Sequence, residues 1–155
     1  MTPDISKTVS IRDLIPSVQL AISNGGSVEM TVPGRSMEPT LHDRVSRVRL
    51  SGVTVPKRGD MVLYCRDNGK YVLHRIIECN EDGTYVFCGD AQYQKEPGIR
   101  KDQMIAVVTA FSRRKKWISC DDPIYRCWWR ICVGLRGWRH LRSAVRRRIF
   151  KTTEN

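Results

Sequence analysis

The segment PGRSMEPTLHDRV, residues 33–45, sets a serine in a run of turn-forming residues. Pro33, Gly34 and Pro39 constrain the backbone around Ser36, which places its hydroxyl on a shaped loop between extended segments. A serine hydroxyl is a poor nucleophile until a neighbouring base takes its proton, so the available bases decide what Ser36 can do. Besides lysines, the sequence offers His42, His74 and His140. His42 lies in the same loop region as Ser36, and His140 lies in a strongly basic stretch. His74 sits in YVLHRIIE between Val72 and Ile76, which share its face of an extended strand. A histidine on an apolar face is more often a satisfied core residue than a catalyst, and local pattern leaves both readings open.

The elements that would hold these residues are mostly strands. Ile11, Leu14, Ile15, Val18 and Ile22 repeat at helical spacing, which predicts a helix over 10–23, with Ser10 able to cap it, Asn24-Gly25-Gly26 ending it and Pro16 kinking or dividing it. Six β-rich runs follow, at 27–32, 44–50, 61–65, 70–78, 84–88 and 104–111. Turn signals separate them, among them Asn68-Gly69 and Asp82-Gly83, which favour tight hairpins. The pattern predicts a mainly β fold, a compact antiparallel sheet or partly closed β-barrel with a short N-terminal helix.

GRSMEPTLHDRV resembles the nucleophile box of the signal peptidase and LexA-repressor clan of serine peptidases, with its Ser-Met-x-Pro-Thr-Leu order. PKRGDMVLY (56–64) is similar to that clan's Arg-Gly-Asp-hydrophobic box, YVLHRIIE to the strand bearing the general base, and FCGDAQ (87–92) to its Gly-Asp box. The four stand in the clan's order, and the resemblance covers residues 32 to 108, about half the chain. It implies Ser36 as nucleophile and His74 as base, where leader peptidases and LexA-type proteins carry a lysine. The His74-Arg75 pair is similar to the endoplasmic-reticulum, archaeal and sporulation-type signal peptidases. Asp90 falls on the acidic position beside Gly89 and would orient the imidazole, with Glu96 and Asp102 as alternative acids. Gly34, Met37, Pro39, Arg58, Gly59, Asp60, Arg75 and Gly89 would shape the site or bind substrate. Gly34 stands where signal peptidases usually place a serine, which leaves an oxyanion to backbone N–H groups, including that of Ser36.

The charge is unevenly spread. Residues 1–112 carry 14 Lys/Arg against 13 Asp/Glu, whereas residues 113–155 carry 13 against 3. This divides the chain into a near-neutral peptidase-like domain, 1–112, and a basic tail, 113–155. From Pro123 apolar residues recur at helical spacing among arginines, predicting a basic amphipathic helix. Trp117, Trp128, Trp129 and Trp138 in or beside it suit an anionic membrane surface better than a nucleic acid; packing of the helix on the domain is the ordinary alternative. The longest charge-free window, Leu14–Val28, has 15 residues, short of the ~20 a spanning helix needs. No basic-then-apolar leader is visible at the start, so the expected location is cytoplasmic, peripheral at the inner membrane face. Six cysteines without a C-x-x-C pair suggest reduced thiols and no metal, and no cofactor is expected.

The leading expectation is a serine endopeptidase that cleaves an extended peptide or leader segment by acyl transfer. The alternatives are a LexA-like self-processing protein and a non-catalytic membrane-surface or nucleic-acid-binding module that keeps the fold.

Overall fold

The structure, a computed structural model, describes residues 11–113 and 116–135. Helix α1 (Ile11–Ser23) buries Ile15 and Val18 against the sheet, as the spacing predicts. It runs unbroken through Pro16 instead of dividing there. The missing Pro16 N–H falls early in the helix, where the exposed Arg12 carbonyl is open to water. Gly25, at φ +74°, ends the helix, its N–H donating to the Ile22 carbonyl at 2.9 Å. The expected cap, Ser10, lies outside the described residues.

The strands are β1 (Val28–Thr31), β2 (Arg47–Ser51), β3 (Met61–Cys65), β4 (Tyr71–Cys79), β5 (Tyr85–Cys88), β6 (Glu96–Ile99), β7 (Met104–Arg113) and β8 (Lys116–Ser119). They form one antiparallel sheet in the order β1-β2-β7-β3-β4-β5-β6, with β8 added to β7. Its two ends, β1 and β6, do not pair, so the sheet is open rather than a partly closed barrel. Pro97 and Gly98 lie within β6. A proline offers no N–H to a further strand and is tolerated at an edge, so this short strand finishes the sheet there.

Tyr71–Cys79 is the pivotal strand. Its neighbours are set by the registers Val62↔His74 with β3 and Arg75↔Cys88 and Ile76↔Phe87 with β5. Alternation sends Tyr64, Ile76 and Phe87 into one apolar cluster and Met61, Leu63 and Leu73 into the main core. That main core also holds Val48, Leu50 and Phe111, and fully burying each contributes about 1.5–3 kcal/mol.

Helix α2 (Pro123–Gly134) starts where the Asp122 carboxylate accepts from the backbone N–H of Ile124 at 2.8 Å and of Tyr125 at 3.0 Å. Tyr125 and Trp129 enter the main core. The described part of the expected tail is thus continuous with the body: β8 extends its sheet and α2 closes its core. None of the six cysteines is bridged in a disulfide. Among the described residues no helix is long and apolar enough to cross a membrane.

Candidate active site

The Ser36 loop is anchored from below and left open above. Met37 and Leu41 are buried in the main core, and the Leu41 N–H donates to the Met37 carbonyl at 2.9 Å. Gly34 takes φ +95°, a conformation other residues resist, and its N–H donates to Asp43 Oδ1 at 2.7 Å. A Cβ on Gly34 would meet nothing, so its backbone angle and not close approach demands glycine here. The Glu38–Pro39 peptide is cis. Ser36 itself is half-buried and opens onto an apolar cavity of about 160 Å³ walled by Met30, Leu50, Leu63, Tyr71 and Leu73. Among the described residues its backbone N–H donates no hydrogen bond and is open to an acceptor.

Gly89 brings this loop to His74. A Cβ at Gly89 would lie 2.5 Å from the Ser36 carbonyl oxygen and 3.1 Å from His74 Nε2. No side chain fits between them, and the close approach explains the glycine of the FCGDAQ segment. The Ala91 N–H ties the crossing by donating to the Ser36 carbonyl at 2.8 Å. No hydrogen bond joins Ser36 Oγ to His74 among the described residues; such contacts are often long before substrate arrives.

The other ring nitrogen, His74 Nδ1, faces Glu96 Oε1 at 3.1 Å. Glu96 is held from two further sides: Tyr64 Oη donates to Oε2 at 2.8 Å, and Arg66 Nε donates to Oε2 at 2.7 Å while its Nη2 reaches Oε1. Burial works against the Glu96 carboxylate, yet the hydrogen bonds from Arg66 and Tyr64 outweigh it and hold its pKa below the ordinary glutamate value. An ionised Glu96 can only accept, which favours the tautomer with the proton on Nδ1 and leaves the Nε2 lone pair, beside Gly89, unprotonated. Burial pushes the His74 pKa below its ordinary value; Glu96 opposes this and the Arg66 charge reinforces it. The imidazole is therefore neutral at neutral pH, with Nε2 able to accept a proton. Burial, helped by the Glu96 charge, raises the Tyr64 hydroxyl, which stays a donor.

Asp90 has another task, and its expected place behind the imidazole goes to Glu96. Arg75, buried on the opposite face of β4, grips Asp90 through Nε–Oδ1 at 2.8 Å and Nη2–Oδ2 at 2.6 Å. Thr40 donates to the same Oδ2, while Arg75 Nη1 donates to the Gly59 carbonyl at 2.8 Å and to Tyr125 Oη at 3.0 Å. Arg75 thereby ties the serine loop, the Gly-Asp segment, the Arg-Gly-Asp loop and α2 to one side chain. Asp102, the third candidate acid, is exposed and lies 3.3 Å from Arg100. Gly59, at φ +102°, packs under Trp129, whose ring would lie 2.3 Å from an added Cβ. Asp60 Oδ2 accepts the Lys57 N–H at 3.0 Å and shapes the turn. Arg58 is exposed and lines a separate groove. Gly59, Asp60 and Arg58 thus support β4 from behind and do not reach the serine.

The tryptophans divide. Trp129 is buried and Trp128 half-buried, with the Arg75 and Arg113 guanidinium groups each 5.3 Å from their respective ring centres. Trp129 gives its area to the main core, and Trp128 packs partly against it. Trp117 is exposed beneath Arg47 and Arg49, and Trp138 lies outside the described residues. Sequence pattern does not single out Tyr64 or Arg66. Tyr64 is accessible in principle, since strand alternation makes it the diagonal neighbour of His74; nothing local marks Arg66.

No protein-family model matches this chain, and no curated protein matches it.

Proposed function

We propose that this protein is a serine endopeptidase of the signal peptidase–LexA kind, with Ser36 as nucleophile, His74 as general base and Glu96 as the acid that orients it. The observation that carries the reading is the crossing at Gly89, where the Nε2 side of a neutral, Glu96-held imidazole meets the serine loop. Nε2 takes the Ser36 hydroxyl proton as Oγ attacks the scissile carbonyl. The carbonyl oxygen, now negative, is received by the free Ser36 N–H. As the carbon–nitrogen bond breaks, the amine leaves with the proton from Nε2; a water deprotonated by the same nitrogen then attacks the acyl-serine ester, and that proton passes to Ser36 Oγ as the carbon–oxygen bond breaks. The apolar cavity beside Ser36 suits an aliphatic side chain next to the scissile bond.

Labelling with a fluorophosphonate probe, followed by mass-spectrometric mapping, tests this. Ser36 is modified in the parent protein, labelling disappears in Ser36→Ala, and it falls steeply in His74→Ala with the fold intact. A folded parent in which Ser36 reacts no faster than other serines would sink the peptidase reading.

A further inference from the structure

Helix α2 has two apolar faces, and the core covers only one of them. At about 100° per residue, Tyr125, Trp129 and Val133 share the face that packs on the main core. Ile124, Cys127, Ile131 and the capping Leu135 fall within about 80° of one another on the opposite side. Ile124 is 81% exposed, Ile131 55% and Leu135 51%, and Cys127 is exposed as well.

Basic residues border this stripe on both sides. Arg126 and Arg130, both exposed, lie between it and the buried face. On the other side the Arg113 guanidinium lies over the Trp128 ring at 5.3 Å, and Lys116 is opposite Arg113 in the β7–β8 register. The acids nearby stand at the start of the helix, where Asp122 is engaged in the cap and Asp121 is exposed. Trp117 is not part of this surface. Phe111 packs on Tyr125, so alternation turns Ser112 and its partner Trp117 to the other face of the sheet. In sequence the basic, apolar character continues past Leu135. Residues 136–155, outside the described ones, carry 7 Lys/Arg against 1 Asp/Glu, with Trp138, Leu141, Val145 and Ile149 spaced among them.

Charge and area narrow the occupant. A second copy seated on the stripe about a two-fold axis would set Arg113, Arg126 and Arg130 against their own equivalents, like charge on like. A specific protein interface takes about 20–30 residues a side, whereas the stripe offers four apolar side chains over about 16 Å. A nucleic acid would meet aliphatic groups at the centre of the contact, and Arg113 already covers the Trp128 ring on which a base could stack. A fluid headgroup layer needs no matching shape: it takes in the apolar side chains while its anionic groups meet the arginines beside them. We propose that α2 lies on an anionic lipid bilayer through Ile124, Cys127, Ile131 and Leu135, with Arg113, Arg126 and Arg130 on lipid phosphates. The proposal does not depend on the peptidase reading.

The test is co-sedimentation of the full-length protein with sucrose-loaded vesicles, made of phosphatidylcholine alone or mixed with phosphatidylglycerol. Binding to the mixed vesicles exceeds binding to phosphatidylcholine by about tenfold or more and falls as salt is added. Ile124→Ser with Ile131→Ser, which leaves the net charge unchanged, weakens binding by about tenfold. Leu20→Ser with Val55→Ser removes apolar side chains that are 65% and 78% exposed elsewhere, and stays within about twofold. Bound vesicles shield Cys127 from a water-soluble maleimide and leave the exposed Cys79 as reactive as before. A parent protein that does not sediment with the anionic vesicles would overturn the proposal, as would Cys127 labelling that bound vesicles leave unchanged. Equal losses in the two double variants would reduce the effect to general hydrophobicity and overturn it too. A dimer in analytical ultracentrifugation that Ile124→Ser with Ile131→Ser disperses, without vesicle binding, would overturn it in favour of a second copy.

Discussion

His74 and Arg75 are neighbours on one strand, each faces a carboxylate, and they do opposite things. Arg75 is fully buried, and its pair with Asp90 is saturated: guanidinium and carboxylate are matched by each other, Thr40, Tyr125 and the Gly59 carbonyl. His74 spends only Nδ1 on Glu96, and that acid is half-buried on an edge strand and shared with Arg66 and Tyr64. Nε2 remains for the serine loop. Charge pairs of similar composition thus separate by what is left over: full satisfaction fixes a fold, and one unspent lone pair leaves His74 able to take the role of base proposed for it.

The largest effect is expected on the Arg75 side. Asp90→Ala leaves a buried guanidinium uncompensated and costs about 3–5 kcal/mol in urea unfolding, whereas Glu96→Ala costs less, about 1–3 kcal/mol, because the cation it leaves behind, Arg66, reaches solvent and only the neutral Tyr64 hydroxyl and His74 ring lose a partner in the interior. Equal losses would erase the distinction between a structural and a chemical pair. On the His74 side, Glu96→Gln lowers the rate of Ser36 acylation by about 10²–10⁴-fold with the urea midpoint unchanged. An unchanged rate would remove Glu96 as the orienting acid. Gly59→Ala drives a Cβ into the Trp129 ring at a positive φ, costs about 1–3 kcal/mol, and leaves the pH profile of acylation where it was.

The smallest effect is the most diagnostic. Acylation needs neutral His74, so it rises with pH through the folded-state pKa, a midpoint below the ordinary ~6.5, and is flat above it. Arg66→Met removes a cation that disfavours the imidazolium and leaves Glu96 free to favour it. The His74 pKa then rises and the acid limb moves up, read from the pH dependence of labelling. A limb that moves down, or stays, would show that Arg66 plays no part in tuning the base.

Much of the fold is legible in the amino-acid order alone. The helix of Ile15 and Val18 and the strands around Leu63, His74, Phe87 and Val108 follow from periodicity and from glycines at the turns. Strand β6 is not legible, because Pro97-Gly98 reads locally as a turn and only its edge position makes it tolerable. The acid partner is hidden for the same reason. Glu96 reaches His74 through two successive pairings, Ile76↔Phe87 and Phe87↔Glu96, and both ladders carry irregularities in register. Likewise, helical spacing in α2 predicts an apolar stripe, but only packing turns Tyr125 and Trp129 inward.

The chemistry on offer is written locally: a serine in a Pro/Gly turn, a histidine and an arginine on opposite faces of one strand, and a glycine ahead of an acid. Backbone preference and the two-residue repeat of a strand set these properties without any distant contact. Which acid serves which base is a matter of long-range packing. Two carboxylates far apart in the chain compete for two cationic or basic neighbours, and strand register, burial and the number of remaining donors settle that competition across the sheet.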